Sequence, residues 1–124
     1  MKNVLVLSAA RTPIGTFLGS LSSLSASEIG AQALKACLDR TEVPGYRVDQ
    51  VLLGNVLMAG QGQAPARQAT IAAGLPKSTG AVTIHKVCGS GMRAVMDGAN
   101  SIRTGEYDVV LAGGMESMSN APYL

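Results

Sequence analysis

The chain has 124 residues, of which 47% are apolar, 15% charged and only 3% aromatic, and its net charge is +2. This length allows one domain at most, and the small side chains with few charges predict a closely packed core with extensive buried surface. The basic residues are scattered singly, which excludes the footprint of a nucleic-acid or membrane-binding protein. Two cysteines and one histidine are too few for a disulfide framework or a metal cluster.

The first third of the chain predicts a strand, a long loop and a helix. Val4–Leu7 is a continuous apolar run, typical of a buried strand in a parallel sheet. Residues 8–24 form a loop rich in Gly and Ser, and a loop of this length favours a functional or interface role. Ser25 and Glu28 match a capping box at the start of the first helix. The predicted apolar face of that helix consists of Ile29, Ala33, Leu34, Cys37 and Leu38.

The middle of the chain predicts a second strand, a glycine-rich loop and a second helix. The strand is centred on Val51–Leu53, after a turn at Pro44-Gly45. Pro65 fits the first turn of the second helix, where a missing N–H is tolerated, and Gly74 ends that helix.

Residues 83–105 predict the end of a third strand, a tight turn and a third helix. The strand contains β-branched residues as far as Val87, and Gly89-Ser90-Gly91 then breaks it. Helical spacing begins at Met92 and continues through Val95, Met96, Ala99 and Ile102, with Gly105 as the stop. A fourth strand follows at residues 109–112. The order β-α-β-α-β-α-β predicts an α/β layered fold with right-handed crossovers.

Cys88 is the candidate nucleophile, because the predicted turn places it at the amino end of the third helix. The partial positive charge of a helix start favours the thiolate, which is the nucleophilic form of cysteine. Free backbone N–H groups of the turn can bind an oxyanion. The residues alone leave open the alternative of a small apolar core residue, which is the commoner fate of a free cysteine.

Other reactive residues favour structural interpretations. Cys37 lies on the predicted apolar face of the first helix. His85 precedes Cys88 by three residues, but strand alternation turns it away, which favours a structural hydrogen bond over a role as catalytic base. Arg93 and Asp97, spaced i and i+4, predict a weak ion pair on the third helix.

The turn Gly89-Ser90-Gly91 also fits a second kind of site. Together with Ala94 it matches the dinucleotide-binding pattern G-x-G-x-x-A between a strand and a helix. In this alternative Glu116, after the next strand, binds a ribose. The pattern lies in the third strand–helix unit rather than the first, and it leaves Cys88 without a role. A further alternative is a fragment that only associates with another polypeptide.

Four segments in order resemble the thiolases, closest to the bacterial acetyl-CoA acetyltransferases. They are ARTPIG (10–15), GNVLMAGQGQAPARQA (54–69), VCGSGMRAV (87–95) and AGGMESMSNAPY (112–123). The resemblance implies that Cys88 attacks an acyl-CoA thioester and carries the acyl group, with its own N–H as an oxyanion donor. A second acetyl-CoA then condenses with that group, and the reverse reaction is thiolysis of a 3-ketoacyl-CoA. Coenzyme A thioesters are therefore the expected substrates, and no other cofactor and no metal are expected.

The resemblance also implies that residues 1–124 are an incomplete N-terminal thiolase domain. The histidine and the second cysteine that thiolases use belong to a C-terminal half, so we expect this chain alone to be inactive and to associate through exposed apolar surface. His85 stands where thiolases usually have Asn, and we expect a structural role. In the complete enzyme we expect a homodimer or homotetramer in fatty acid metabolism, with no nucleic-acid or membrane partner. Met1-Lys2-Asn3 leads directly into the first strand without a signal peptide, which predicts a cytoplasmic location.

Overall fold

Three helices and three strands alternate along the chain in the computed structural model, which describes residues 1–124. The predicted α/β class is confirmed. No helix is both long enough and apolar enough to cross a bilayer. Short 3-10 turns cover Gly45–Arg47 and Met118–Asn120. In chain order the main elements are α1 (Ala26–Asp39), β1 (Gln50–Gly54), α2 (Pro65–Ala72), β2 (Gly80–Ile84), α3 (Ser90–Thr104) and β3 (Val110–Gly114).

The strands form one parallel sheet in which β1 lies between β2 and β3. The register places Leu52 of β1 opposite Val82 of β2 and Ala112 of β3. All of β1 is buried, because it has a strand on each side and helices on both faces. The carboxyl ends of the three strands meet at one edge of the sheet, and the segment containing Cys88 leaves β2 at that edge.

The helices cover both faces of the sheet, with α1 and α2 on one face and α3 on the other. Val51 and Leu53 belong to a core shared with Leu34 of α1 and Ala69 of α2. On the opposite face, a Cβ placed on Gly98 of α3 would lie 3.6 Å from Leu52 Cδ1. Successive residues of β1 thus pack against different helices, as the alternation of a strand requires.

The capping box predicted for α1 is confirmed. The Ser25 hydroxyl accepts the Glu28 N–H at 3.2 Å, and the Glu28 carboxylate accepts the Ser25 N–H at 2.7 Å. Hydrogen bonds from the Ser25 backbone and then from its hydroxyl lower the pKa of Glu28, because they stabilise the ionised carboxylate. The buried face differs from the predicted one, since Ile29 and Cys37 are only half buried. Small residues let α1 pack closely, and the buried positions are Ala26, Ser27, Gly30, Ala31 and Leu34.

The predicted first strand at Val4–Leu7 does not form. Residues 4–10 make no hydrogen bonds between backbone groups, and a cavity of about 400 Å³ separates them from β3. Side chains hold this segment instead, since Ser8 Oγ donates to the Cys37 carbonyl at 2.8 Å. A strand needs a neighbouring strand to satisfy its backbone groups, and no strand lies close enough here. The observed order is therefore α-β-α-β-α-β rather than the predicted order with a strand in front.

The long loop at residues 8–24 contains no helix or strand, as predicted, and it packs against the end of the chain. Asn120 Nδ2 donates to the carbonyls of Ser22 and Leu24 at 2.9 and 2.8 Å. The Ser117 hydroxyl also donates to the Leu24 carbonyl, at 3.0 Å. These bonds hold the loop beside the carboxyl ends of the strands.

The apolar residues predicted to bury α3 lie largely on its outer face. Met92, Val95 and Met96 are 73%, 51% and 52% exposed. Small residues occupy the inner face because they let the helix approach the sheet closely, while nothing in this chain covers the larger ones. The expected exposure of apolar surface is thus present. The buried residues of α3 are Ser90, Ala94 and Gly98.

Asp49 joins the amino ends of β1 and β3. Its Oδ2 accepts the N–H groups of Val109 and Asp108 at 2.9 and 2.8 Å. These two bonds hold the pKa of Asp49 below its ordinary value, because they favour the ionised carboxylate.

Candidate active site

Cys88 lies in the turn between β2 and α3, at the edge where the strands end. β2 stops at Ile84 rather than continuing to Val87 as predicted, and α3 begins at Ser90. The Gly89 N–H donates to the Lys86 carbonyl at 3.1 Å and closes the turn. Cys88 is exposed and forms no disulfide. Its thiol is therefore accessible at the start of a helix.

Val87 is the strained residue of this turn. Its φ of +47° places a β-branched side chain in the left-handed region, which such residues rarely adopt. The side chain is 60% exposed, so packing offsets little of the strain. Strain of this kind costs about 1–3 kcal/mol, and neighbouring groups must hold the backbone in place.

Ser90 supplies hydrogen bonds on both sides of Val87. Its hydroxyl accepts the Lys86 N–H at 2.7 Å and donates to the Val87 carbonyl at 2.7 Å. The Ser90 N–H donates to the same carbonyl at 3.1 Å. The glycine-rich pattern around Ser90 predicts a turn residue and no further role. The signal that points to it is a serine at a helix start, where hydroxyls commonly bond to nearby backbone groups.

Glycines bring the start of α3 against the ends of two strands. A Cβ on Gly54, at the end of β1, would lie 2.6 Å from the Ser90 carbonyl carbon and 2.7 Å from the Gly91 nitrogen. A Cβ on Gly114, at the end of β3, would lie 3.3 Å from Gly91 Cα. Backbone meets backbone where a side chain would clash, and this contact fixes the Cys88 turn relative to the sheet.

The start of α3 offers unpaired hydrogen-bond donors. The Cys88 N–H has no acceptor within the chain. The cap residue Gly89 has no side chain to bond the first turn, and that turn contains no acidic residue. A helix of 15 residues places partial positive charge at this end. The donors and the charge suit an anion at Cys88, either the thiolate or an oxyanion formed at an attacked carbonyl.

Glu116 lies at the same edge but is bonded to the chain itself. Its Oε1 accepts from Asn55 Nδ2 at 2.8 Å and from the Leu57 N–H at 3.1 Å, and its Oε2 accepts the Val56 N–H at 3.0 Å. Both oxygens are thus bonded to the chain itself, so a ribose would have to compete with these three bonds. Gly91, the second glycine of the dinucleotide pattern, packs against the ends of β1 and β3 rather than facing an open phosphate site. The geometry therefore disfavours the dinucleotide alternative.

The remaining candidate residues take no part in the Cys88 turn. His85 is exposed and makes no hydrogen bond within residues 1–124, so the structural bond predicted for it does not form inside this chain. Cys37 is half buried on α1 and lines a cavity. Arg93 and Asp97 form the predicted pair, with Nε and Oδ1 2.9 Å apart. No cluster of His, Cys, Asp and Glu side chains suits a metal ion. No side chain within the chain hydrogen-bonds to the Cys88 thiol.

Known proteins are similar to this chain in sequence and in fold. Residues 4–124 match the family model described as thiolase, N-terminal domain. The chain is 57% identical over 123 residues to the mitochondrial acetyl-CoA acetyltransferase of Xenopus tropicalis. This match covers 99% of this chain and 29% of that protein. The chain is also 52% identical over 124 residues to the probable acetyl-CoA acetyltransferase of Escherichia coli (strain K12). This second match covers 100% of this chain and 32% of that protein.

A solved structure gives the same relationship in three dimensions. The Acat5 thiolase from Ascaris suum, in complex with coenzyme A, matches with a TM-score of 0.92 at 48% identity. The match covers 95% of this chain and 31% of that structure. The chain thus spans less than a third of the length of the proteins it matches.

Proposed function

The chain belongs to the thiolase family, and on this premise we propose that it carries the acyl-accepting cysteine of an acetyl-CoA acetyltransferase. One observation carries the proposal: Cys88 is exposed at a helix start and its N–H has no acceptor. The proposed substrates are acetyl-CoA in the synthetic direction and a 3-ketoacyl-CoA in the reverse. The names of the relatives and the coenzyme A bound to the Ascaris suum thiolase support this choice.

Acyl transfer begins when the Cys88 thiolate attacks the carbonyl carbon of acetyl-CoA. The carbonyl oxygen becomes an oxyanion, which accepts a hydrogen bond from the Cys88 N–H. Collapse of this intermediate expels the coenzyme A thiolate and leaves acetyl-Cys88. A second acetyl-CoA, after losing a methyl proton to a base, attacks acetyl-Cys88 through its carbanion. That step forms acetoacetyl-CoA and releases the Cys88 thiolate, and the same steps in reverse cleave a 3-ketoacyl-CoA.

The base for these steps comes from outside residues 1–124. No side chain of the chain hydrogen-bonds to the Cys88 thiol, and its one histidine, His85, is exposed and unbonded. The thiolase resemblance assigns the activating histidine and a second cysteine to a C-terminal half. We therefore take residues 1–124 as an incomplete N-terminal domain whose active site a further polypeptide completes.

Two unpartnered surfaces support this proposal. The first is the cavity of about 400 Å³ between residues 4–10 and the free edge of β3, which is lined mainly by apolar side chains. Strands pair at about 4.8 Å, so a strand placed in this cavity beside β3 can bond to the free edge of β3. The second is the outer face of α3, which carries Met92, Val95 and Met96. The thiolase resemblance implies that the N-terminal domain has a last strand outside residues 1–124. We assign the cavity to that strand and the α3 face to the C-terminal half.

The setting of the complete enzyme is part of the proposal. Both cysteines are free, which fits a reducing compartment such as the cytoplasm. We propose a homodimer or homotetramer acting in fatty acid metabolism. Sedimentation of the complete protein gives its oligomeric state directly.

A chimera tests the proposal without requiring activity from the isolated chain. Residues 1–124 replace the matching segment of the Escherichia coli relative, whose remaining length supplies the rest of the site. We expect acetyl-CoA to acetylate Cys88, as read by peptide mass after an acid quench, and we expect the chimera to form acetoacetyl-CoA. Cys88→Ser abolishes both results. Cys37→Ser, the matched control at the other free cysteine, preserves both.

The outcomes separate the alternatives. A folded chimera that is acetylated elsewhere, or not at all, contradicts the role of Cys88. Substantial turnover by residues 1–124 alone contradicts the proposal that the domain is incomplete. Saturable NADH binding without acetylation would favour the dinucleotide alternative. Association with the C-terminal half without acetylation would favour a non-catalytic interaction fragment.

A further inference from the structure

We propose that Ser90 is a positioning residue, whose hydroxyl holds the Val87–Cys88 turn in the strained form that presents the thiol at the start of α3. This inference rests on the proposed role of Cys88 and concerns how the reactive geometry is maintained. It involves no contact between Ser90 and a substrate. Ser90 acts through the backbone of Lys86 and Val87.

The hydroxyl of Ser90 joins the two ends of the strained residue. It accepts the N–H of Lys86, the residue before Val87, and donates to the carbonyl of Val87 itself, both at 2.7 Å. A hydroxyl has one proton to donate and lone pairs to accept, so both bonds form at the same time. Rotation of Val87 to a negative φ would displace these backbone groups and break the bonds. The bonds therefore oppose relaxation of the strain.

Ser90 is a firm anchor for these bonds because it is buried against the sheet. It is 4% exposed, and the end of β1 lies directly against it. A Cβ on Gly54 would lie 2.6 Å from both the carbonyl carbon and the Cβ of Ser90. The hydroxyl is thus fixed to the sheet through the start of α3, and the turn is fixed to the hydroxyl.

Cys88 depends on this arrangement because it directly follows Val87. With Val87 at a φ of +47°, the chain reverses sharply and Cys88 lies exposed with its N–H unpaired. If the Ser90 hydroxyl is removed, the Lys86 N–H and the Val87 carbonyl lose their partner. Val87 can then relax toward the ordinary allowed regions. The thiol and the Cys88 N–H would move away from the helix start together.

A double-mutant cycle between positions 87 and 90 tests the inference on the full 124-residue chain. The variants are Ser90→Ala, Val87→Gly and the double variant. The measurement is the rate of Cys88 alkylation by iodoacetamide, read by peptide mass, with Cys37 as the internal reference. Glycine adopts a positive φ without cost, so Val87→Gly removes the strain that the hydroxyl is proposed to hold. The exposed Val87 side chain contributes little packing that this change would remove.

We expect Ser90→Ala to slow Cys88 alkylation about tenfold in the wild-type background and less than about threefold in the Val87→Gly background. Cys37 alkylation stays unchanged. Ser101→Ala is the matched control, because it removes a hydroxyl from the same helix that bonds only to the Asp97 carbonyl. We expect it to leave the Cys88 rate unchanged.

Two results overturn the inference. One is an unchanged Cys88 rate in Ser90→Ala, and the other is an equal slowing in both backgrounds, which would indicate a general packing role. If circular dichroism shows that Ser90→Ala does not fold, a folded double variant supports the coupling between positions 87 and 90. An unfolded double variant overturns the inference. Alkylation needs no acyl-CoA chemistry. The two experiments can therefore give different answers. If the double-mutant cycle shows coupling but the chimera is not acetylated, the proposed function is rejected and the positioning role of Ser90 is retained.

Discussion

Replacing Gly54 with alanine tests whether backbone contact at the end of β1 sets the position of the Cys88 turn. The new Cβ would lie 2.6 Å from the carbonyl carbon and Cβ of Ser90 and 2.7 Å from the Gly91 nitrogen. Carbon atoms pack at about 3.5–4.0 Å, so α3 and β1 must separate by about 1 Å. The opposing atoms belong to backbone or to the Ser90 network, so no flexible side chain can move away. Overpacking costs about 1–3 kcal/mol, and we expect a loss of about 2–3 kcal/mol here.

Gly113→Ala is the matched control in the same sheet. A Cβ on Gly113 meets only Leu53 Cδ2, at 3.8 Å, which is an ordinary contact. Without a clash, alanine stabilises a strand by about 0.5–1 kcal/mol relative to glycine, so the two variants should change stability in opposite directions. Urea unfolding followed by circular dichroism gives the free energy of unfolding of each variant. We also expect Gly54→Ala, and not Gly113→Ala, to slow Cys88 alkylation in the folded protein.

Equal free energies of unfolding for Gly54→Ala and Gly113→Ala would contradict the predicted clash at the end of β1. That result would mean that the start of α3 yields without cost and does not fix the Cys88 turn. A destabilised Gly54→Ala with an unchanged rate of Cys88 alkylation would refute the link between this contact and the thiol, while leaving the packing argument intact.

Three further predictions concern the rest of the chain. Ser25→Ala removes the cap of α1 and should lower the free energy of unfolding by about 1 kcal/mol in urea titrations. The pKa of Asp49 is lowered in the folded state by the bonded amides, so this carboxylate stabilises the fold above its unfolded pKa of about 3.9, and the stabilisation is lost as pH falls through the folded value. Because Asp49 is exposed, Asp49→Asn should cost no more than about 1 kcal/mol at pH 7, and its stability should converge with that of the wild type once the pH falls below the lowered pKa of Asp49 in the folded protein. Replacing Met92 and Met96 with serine should weaken self-association about tenfold or more in sedimentation experiments. Met118→Ser, at a methionine that is 64% exposed outside α3, should leave association unchanged.

Features that depend on residues close together in the chain could be predicted from the sequence alone. The capping box at Ser25, the proline at position 65 in the first turn of α2 and the left-handed Gly105 after α3 are all present as predicted. The strand centred on Val51–Leu53 is also present. The strand–turn–helix around Cys88 follows from local glycine chemistry and helical spacing. Four short segments, at residues 10–15, 54–69, 87–95 and 112–123, were sufficient to indicate the thiolase family.

Features that depend on a partner far away in the chain could not be predicted in this way, because long-range packing sets them. Val4–Leu7 has the composition of a strand, but a strand forms only where a neighbouring strand pairs with its backbone. A cavity lies between this segment and β3, so β3 does not pair with it. The spacing of the large apolar residues in α3 predicts that they face the sheet. The face with Ala94 and Gly98 packs against the sheet instead, because small residues allow closer contact. Glu116 bonds to residues 55–57, far from it in sequence, and no local pattern reports such a pairing. Local chemistry placed the thiol in a turn, whereas long-range packing determined how that turn is held.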